Sequence, residues 1–164
     1  IGESGSGKTV LMKCMVGLLE TDSGKVIYDG RVFSDNDLTN GSISSDERKN
    51  IRRDIGMMFQ GGALFDSLTA EENVMFPLYM FTEMTAEEKR ERVNVCLNRV
   101  NLDHANKLYP AELSGGMQKR VAIARAIAMQ PKYLFCDEPN SGLDPKTAII
   151  IDNLTSDLLT YPLK

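Results

Sequence analysis

The chain is poor in the residues that would place it in several common classes. It has one histidine, His104, set in the polar stretch Asn101 to Lys107 with no cluster of cysteines, histidines or paired carboxylates around it. It reads as a surface histidine, not a metal ligand. There are three cysteines, Cys14, Cys96 and Cys136, widely spaced and without C-x-x-C spacing. That excludes a disulfide scaffold or a zinc knuckle and points to buried thiols in a reducing compartment. No apolar run approaches the ~18 residues needed to cross a bilayer. Excess positive charge is also lacking. The net charge is −4 and the pI near 5.1, which argues against binding nucleic acid through bulk charge. There is no internal repeat and no low-complexity tract. What remains is 164 residues, 42% hydrophobic and 26% charged, enough for one domain with its own core.

The strongest pattern is Gly2-Glu3-Ser4-Gly5-Ser6-Gly7-Lys8-Thr9, which fits G-x-x-x-x-G-K-[ST]. Nucleoside triphosphates carry several negative charges that need a dense set of donors. Gly2, Gly5 and Gly7 let the backbone approach phosphates closely, and successive N–H groups then form an anion nest. The helix expected from about Lys8 to Leu19 adds its positive dipole end. Lys8 supplies a full charge to the β- and γ-phosphates, and the Thr9 hydroxyl suits Mg²⁺.

Strands and helices alternate along the rest of the chain. Lys25–Tyr28 and Arg31–Phe33 flank Asp29-Gly30, a two-residue hairpin signal. A charged helix is expected near Asp46 to Arg53, then a buried strand from Ile55 to Phe59 ending at Gln60. Thr69-x-x-Glu72 and Thr85-x-x-Glu88 are capping boxes that open two helices. Pro77 is expected to kink or end the first. In the second, Val93, Leu97 and Val100 repeat at helical spacing, and the Lys and Arg residues opposite read as a solvated face. Met75 reads as core, whereas Met80 and Met84 fit either core or a partner-facing surface. Ser114-Gly115-Gly116 opens a third helix through Val121 and Ile127. A short strand, Tyr133–Cys136, ends in Asp137-Glu138. Asp144-Pro145 starts a last helix from Lys146 to Leu159. This order implies an α/β fold with a mostly parallel sheet.

An apolar strand that delivers two carboxylates to its C-terminal end places them where ligands bind in open α/β sheets. Asp137 is suited to Mg²⁺ through its water shell. Glu138 points another way, because side chains alternate along a strand. It is thus free to orient or deprotonate a water, general-base work worth ~10²–10⁴-fold in rate.

Taken together these motifs resemble the ATP-binding cassette (ABC) ATPases. Leu113-Ser114-Gly115-Gly116-Met117-Gln118-Lys119-Arg120 resembles the family's signature, with Met117 standing before the glutamine. Gln60 matches the Q-loop glutamine, and Asn140-Ser141-Gly142-Leu143-Asp144 the D-loop. The resemblance implies a P-loop NTPase core, about 1–68 and 130–164, with an inserted α-helical subdomain, about 69–129. It implies ATP and Mg²⁺ as cofactors, with Lys8, Gln60 and Glu138 catalytic and Thr9, Gln60 and Asp137 serving the metal. The loop from Gly2 to Thr9, with Ser114, Gly115, Gly116 and Asp144, would bind nucleotide. It also implies a head-to-tail dimer, in which ATP lies between one subunit's phosphate loop and the other's signature. Transmembrane permease subunits would hold the protein at the cytoplasmic face of the inner membrane, with no nucleic-acid partner expected.

A finer resemblance lies in Phe59 to Leu68 with Glu72-Asn73-Val74 and Phe76-Pro77-Leu78. These segments look like the ATPases of Mla-type phospholipid transport systems, which would make Ala63, Leu64 and Phe65 permease contacts; packing residues are the other reading. Another cargo, such as amino acids or lipoproteins, or a non-transport role on DNA or ribosomes, remains open. The family's adenine-stacking aromatic, the strand before the phosphate loop and the switch histidine have no counterpart in residues 1–164. The resemblance therefore implies a domain truncated at both ends, roughly half again as long when whole, and slow ATP turnover by these residues alone.

Overall fold

The structure, a computed structural model, describes residues 6–36 and 43–160. The chain divides into two compact units, residues 1–55 and 56–164.

In the first unit, α1 (Lys8–Met15) is shorter than the spacing suggests. It stops because Gly17 takes φ +74 and packs on the Phe33 ring, where a Cβ would come within 2.7 Å. Strands β1 (Lys25–Tyr28) and β2 (Arg31–Asp35) form the expected antiparallel hairpin. Asp29 and Gly30 both have positive φ, +49 and +78, as a type I′ turn needs. The helix α2 (Ser45–Arg53) is capped by Ser44, whose hydroxyl accepts from Glu47 N–H. Phe33 is the centre of this small core. Tyr28 meets its ring edge-on at 5.7 Å, and the Arg48 and Arg52 guanidinium groups lie 5.9 Å from its centroid.

The second unit holds most of the core. It contains β3 (Ile55–Met58, its first residue in the other unit), α3 (Ala70–Phe81), α4 (Ala86–Arg99), a 3₁₀ turn (Pro110–Glu112), α5 (Gly115–Ile127), β4 (Tyr133–Cys136) and α6 (Pro145–Thr160). Helices α3, α4 and α5 pack on one another through Val74, Leu78, Val93, Leu97, Val121 and Ile123. Met58, Ile151 and Leu154 join the same core. Strands β3 and β4 pair with their C-terminal ends side by side, Asp137 N–H donating to Met58 O at 2.9 Å, so they run parallel. Gly56 makes that pairing fit against α5, since a Cβ there would stand 2.4 Å from the Ala126 carbonyl oxygen.

Both capping boxes form in full. Two other expectations change. Pro77 sits inside α3, which continues to Phe81. Proline costs the single bond its missing N–H would have made, and the packed apolar face of the helix offsets the loss. The basic residues of α4 are not all solvated: Lys89 and Arg92 are buried. Arg92 donates Nε and Nη2 to the Ala128 and Ile127 carbonyls, both at 2.9 Å, which neutralises the negative end of α5. Lys89 lies 4.7 Å from the Tyr79 ring centroid. In α6, Ile149 and Ile150 face solvent while Ile151 is buried. Met75 is buried as expected, Met84 is half-buried against the core, and Met80 is 60% exposed. His104 lies on the surface. All three cysteines are free, Cys96 buried and the other two half-buried.

Candidate nucleotide site

The parallel β3–β4 pair builds the centre of the candidate site. Gln60 follows β3 by two residues and Glu138 follows β4 by two, so matched strand ends deliver both to one place. Gln60 Nε2 donates to Glu138 Oε2 at 2.8 Å. Asp137, between β4 and Glu138, is only 6% exposed, whereas Glu138 is open to solvent. Glu138 has φ +46, a left-handed backbone that turns its side chain away from that of Asp137. One carboxylate faces in and the other out, through this turn and not through strand alternation, because both residues follow the end of β4.

The segment after Glu138 is tied down at several points. Ser141 N–H donates to Glu138 O at 3.1 Å. Lys119 of α5, 5% exposed, donates its ammonium to the Ser141 carbonyl. Burial pulls the Lys119 pKa down, and the Glu138 carboxylate partly opposes that shift. Asn140 Nδ2 donates to Asp152 Oδ1 at 2.6 Å. Asp144 caps α6, its Oδ1 accepting from Lys146 N–H at 3.1 Å and Thr147 N–H at 3.2 Å. The Thr147 hydroxyl bond, then the Thr147 N–H bond, holds the Asp144 carboxyl below its usual range.

Ser114 caps α5, its hydroxyl accepting from Met117 N–H at 3.3 Å. Around Gly115 there is open space, so an anion can approach the helix N-terminus there. Gly116 faces the other way. A Cβ on it would meet Thr147 Cγ2 at 2.4 Å, so the start of α5 is packed against the first turn of α6.

In the first unit, Gly7 takes φ +83 at the N-cap of α1, and Lys8 and Thr9 are half-buried in the first helical turn. Ser6 is exposed. Gly2, Glu3, Ser4 and Gly5 lie outside the described residues. The structure thus brings together Gln60, Asp137 and Glu138 at one strand edge. It links Gly116 to Asp144 through Thr147. Lys8 and Thr9 belong to the other unit.

Three side chains near this centre have no role assigned by the sequence. Lys119 lies in the signature stretch and Asn73 in Glu72-Asn73-Val74, and each is a polar residue on an otherwise apolar helical stripe. Arg125 sits in the apolar run Val121 to Ile127 of α5. It reaches the loop behind Gln60, with Nη2 on Gly62 O at 2.7 Å and Nη1 on Ala63 O at 2.9 Å.

The family profile described as "ABC transporter" matches residues 1–141. The "Probable ribonucleotide transport ATP-binding protein mkl" of Mycobacterium leprae (strain TN) is 39% identical over 158 residues, 96% of this chain and 44% of that protein. The "Methionine import ATP-binding protein MetN" of Desulfitobacterium hafniense (strain Y51) is 43% identical over 161 residues, again 96% and 44%. Among solved structures, the ATP-binding cassette MJ0796, in a dimeric post-hydrolysis state bound to ADP and Pi, superposes with a TM-score of 0.79 at 40% identity. That match covers 96% of this chain and 66% of that one. The chain spans less than half the length of the two curated relatives.

Proposed function

Because the chain belongs to the ABC transporter family, we propose that this protein binds and hydrolyses ATP to drive transport across a membrane. The observation that carries the reading is the Gln60–Glu138 hydrogen bond beside buried Asp137. In this reading Glu138 accepts a proton from the attacking water as its oxygen bonds to the γ-phosphorus and the bond to the β-phosphate oxygen breaks. Gln60 holds the Glu138 carboxylate in place through its amide. Lys8 supplies positive charge to the β- and γ-phosphates, and the N–H groups around Gly7 bind their oxygens. Mg²⁺ takes carboxylate, hydroxyl, phosphate and water oxygens, the donor types that Asp137 and Thr9 offer, and would neutralise charge on the phosphates. Ser114, Gly115 and Gly116 at the α5 N-terminus would bind the phosphates held by a second copy of the chain, with Asp144 supporting them through Thr147. The dimeric state of MJ0796 supports this arrangement.

The partner surface of this reading runs along α3. Phe65, Phe76, Tyr79, Met80 and Phe81 are all exposed, and the Phe65 and Phe76 rings are 4.7 Å apart. An apolar patch of this kind suits transmembrane permease subunits, which would bring the protein to the cytoplasmic face of the membrane. Among the described residues no helix is long and apolar enough to cross a membrane itself. For cargo we favour phospholipid, on the segment Phe59 to Leu68 with Phe76-Pro77-Leu78. The names of the two relatives, ribonucleotide transport and methionine import, favour another solute.

Glu138→Gln tests the chemistry. ATP binding should persist while hydrolysis falls ~10²–10⁴-fold; an unchanged rate rejects the role of Glu138. Reconstitution with the cognate permease, comparing transfer of labelled phospholipid with uptake of methionine and of a ribonucleotide, tests the cargo. ATP-dependent movement of only one of the latter two overturns the lipid assignment.

A further inference from the structure

The loop that follows Gln60 bends against its own preference. Gly61, Gly62 and Ala63 lie in succession in the left-handed region, at φ +79, +83 and +46. Glycine enters that region freely, but Ala63 does so against the contact of its Cβ with the backbone carbonyl. Such a turn persists only where its surroundings over-determine it.

Two side chains do so. Arg125, on the helix that begins at Gly115, spans the carbonyls of Gly62 and Ala63 with its two terminal nitrogens. A planar fork fits two neighbouring acceptors, which a lysine ammonium cannot reproduce. The guanidinium also lies 5.7 Å from the Phe65 ring centroid and reaches Asn73 Oδ1 at 3.5 Å. Asn73, fully buried on α3, holds the rest of the loop. Its Oδ1 accepts from Phe65 N–H at 2.9 Å, and its Nδ2 faces the carbonyls of Phe65 at 3.1 Å, and of Leu68 and Thr69 at 3.0 Å. The backbone two residues beyond Gln60 is therefore fixed from α5, while the Gln60 amide fixes Glu138.

We propose that Arg125 is a positioning residue for hydrolysis: by clamping the Gly62–Ala63 turn from α5, it keeps Gln60 Nε2 in hydrogen-bond reach of Glu138. It touches neither nucleotide nor attacking water. The inference rests on the reading above that Glu138 acts on that water.

A double-mutant cycle between Arg125 and Gln60, run on the full-length protein with its partner subunits, separates this role from general packing. Arg125→Met should lower kcat about tenfold, and Arg125→Lys about threefold, with KM for ATP within about twofold of wild type. In a Gln60→Ala background either substitution should cost less than about twofold, because the group being positioned is gone. Single-turnover measurement keeps the slow Gln60→Ala rates readable. Equal losses in both backgrounds, a rise in KM with kcat intact, or no loss at all overturns the proposal. If Arg125→Met does not fold, the cycle with Arg125→Lys decides alone. Glu138→Gln, measured alongside, keeps the two claims apart. An unchanged rate there rejects the role of Glu138 and with it this inference, whereas an inactive Glu138→Gln with additive Arg125 losses rejects only the role of Arg125.

Discussion

The amide of Gln60 donates to the carboxylate of Glu138 at 2.8 Å, although 78 residues separate them in sequence. The pairing follows from strand register. Met58 O accepts from Asp137 N–H, so the residues that leave β3 and β4 emerge side by side. Both side chains are exposed, so the bond adds little to stability; its effect is to hold one carboxylate in one orientation.

Gln60→Leu should therefore separate rate from stability. Removing the donor should lower kcat for ATP about tenfold, while the unfolding free energy moves by less than about 0.5 kcal/mol, as for other surface substitutions. Steady-state hydrolysis and urea denaturation on the same protein check both. A normal kcat would mean that the Glu138 carboxylate does not depend on this partner.

Gly116 offers a test whose sign reverses with its neighbour. A Cβ at position 116 would stand 2.4 Å from Thr147 Cγ2, and the Thr147 hydroxyl is tied to Asp144. The threonine cannot turn away without losing that bond, so Gly116→Ala should destabilise by about 1–3 kcal/mol, the range for overpacking. Thr147→Ser removes the methyl and keeps the hydroxyl. In that background the same substitution should be neutral or stabilising, by up to about 1 kcal/mol, because alanine favours helix over glycine. Equal destabilisation in both backgrounds would place the clash elsewhere.

How far the sequence predicts the structure depends on the range of each interaction. The Asp29-Gly30 turn, the boxes at Thr69 and Thr85, and the Ser114 and Asp144 caps were legible because each is complete within four residues. The strand ends carrying Gln60 and Asp137-Glu138 were legible from apolar runs stopped by polar residues. Arg125 and Arg92 were not. Each satisfies backbone carbonyls more than 30 residues away, and such acceptors leave no trace in side-chain identity. Of the two outcomes expected at Pro77, the ending of α3 fails for a related reason. A local rule against proline says nothing of the tertiary packing that carries α3 past it.

The capping boxes make the helical part of the second unit sensitive to acid. Glu72 is held below its usual 4.5, first by the Thr69 N–H and then by the Thr69 hydroxyl. Glu88 is lowered in the same way by Thr85. A depressed carboxyl contributes stability above its unfolded pKa, and that contribution is lost as pH falls through the folded value. Stability should thus decline below about pH 4.5 and helicity should follow. Thr69→Ala should cost about 1 kcal/mol at neutral pH, and Glu72→Gln, which removes the titrating carboxyl itself, should flatten the acid slope. Circular dichroism of wild type and both variants from pH 7 to 2 checks this; a Glu72→Gln curve parallel to wild type would assign the acid loss to other carboxyls.

Cys136 imposes the opposite limit, at alkaline pH. Burial at the end of β4 pushes its thiol from 9.0 up to about 11. In the folded protein it stays protonated where an unfolded thiol has begun to ionise. Its contribution is therefore present below pH 9.0 and lost as pH rises toward about 11. Cys96 is raised by burial too, so Cys136→Ala should reduce the alkaline slope without abolishing it. The same shift makes Cys136 a poor nucleophile, since the thiolate is the reactive form. At pH 8 iodoacetamide should modify Cys136 far more slowly in the native protein than in urea, with mass spectrometry locating the label. Equal rates in the two states would show that the thiol is neither shielded nor shifted, and would remove the reason for an alkaline transition at this residue.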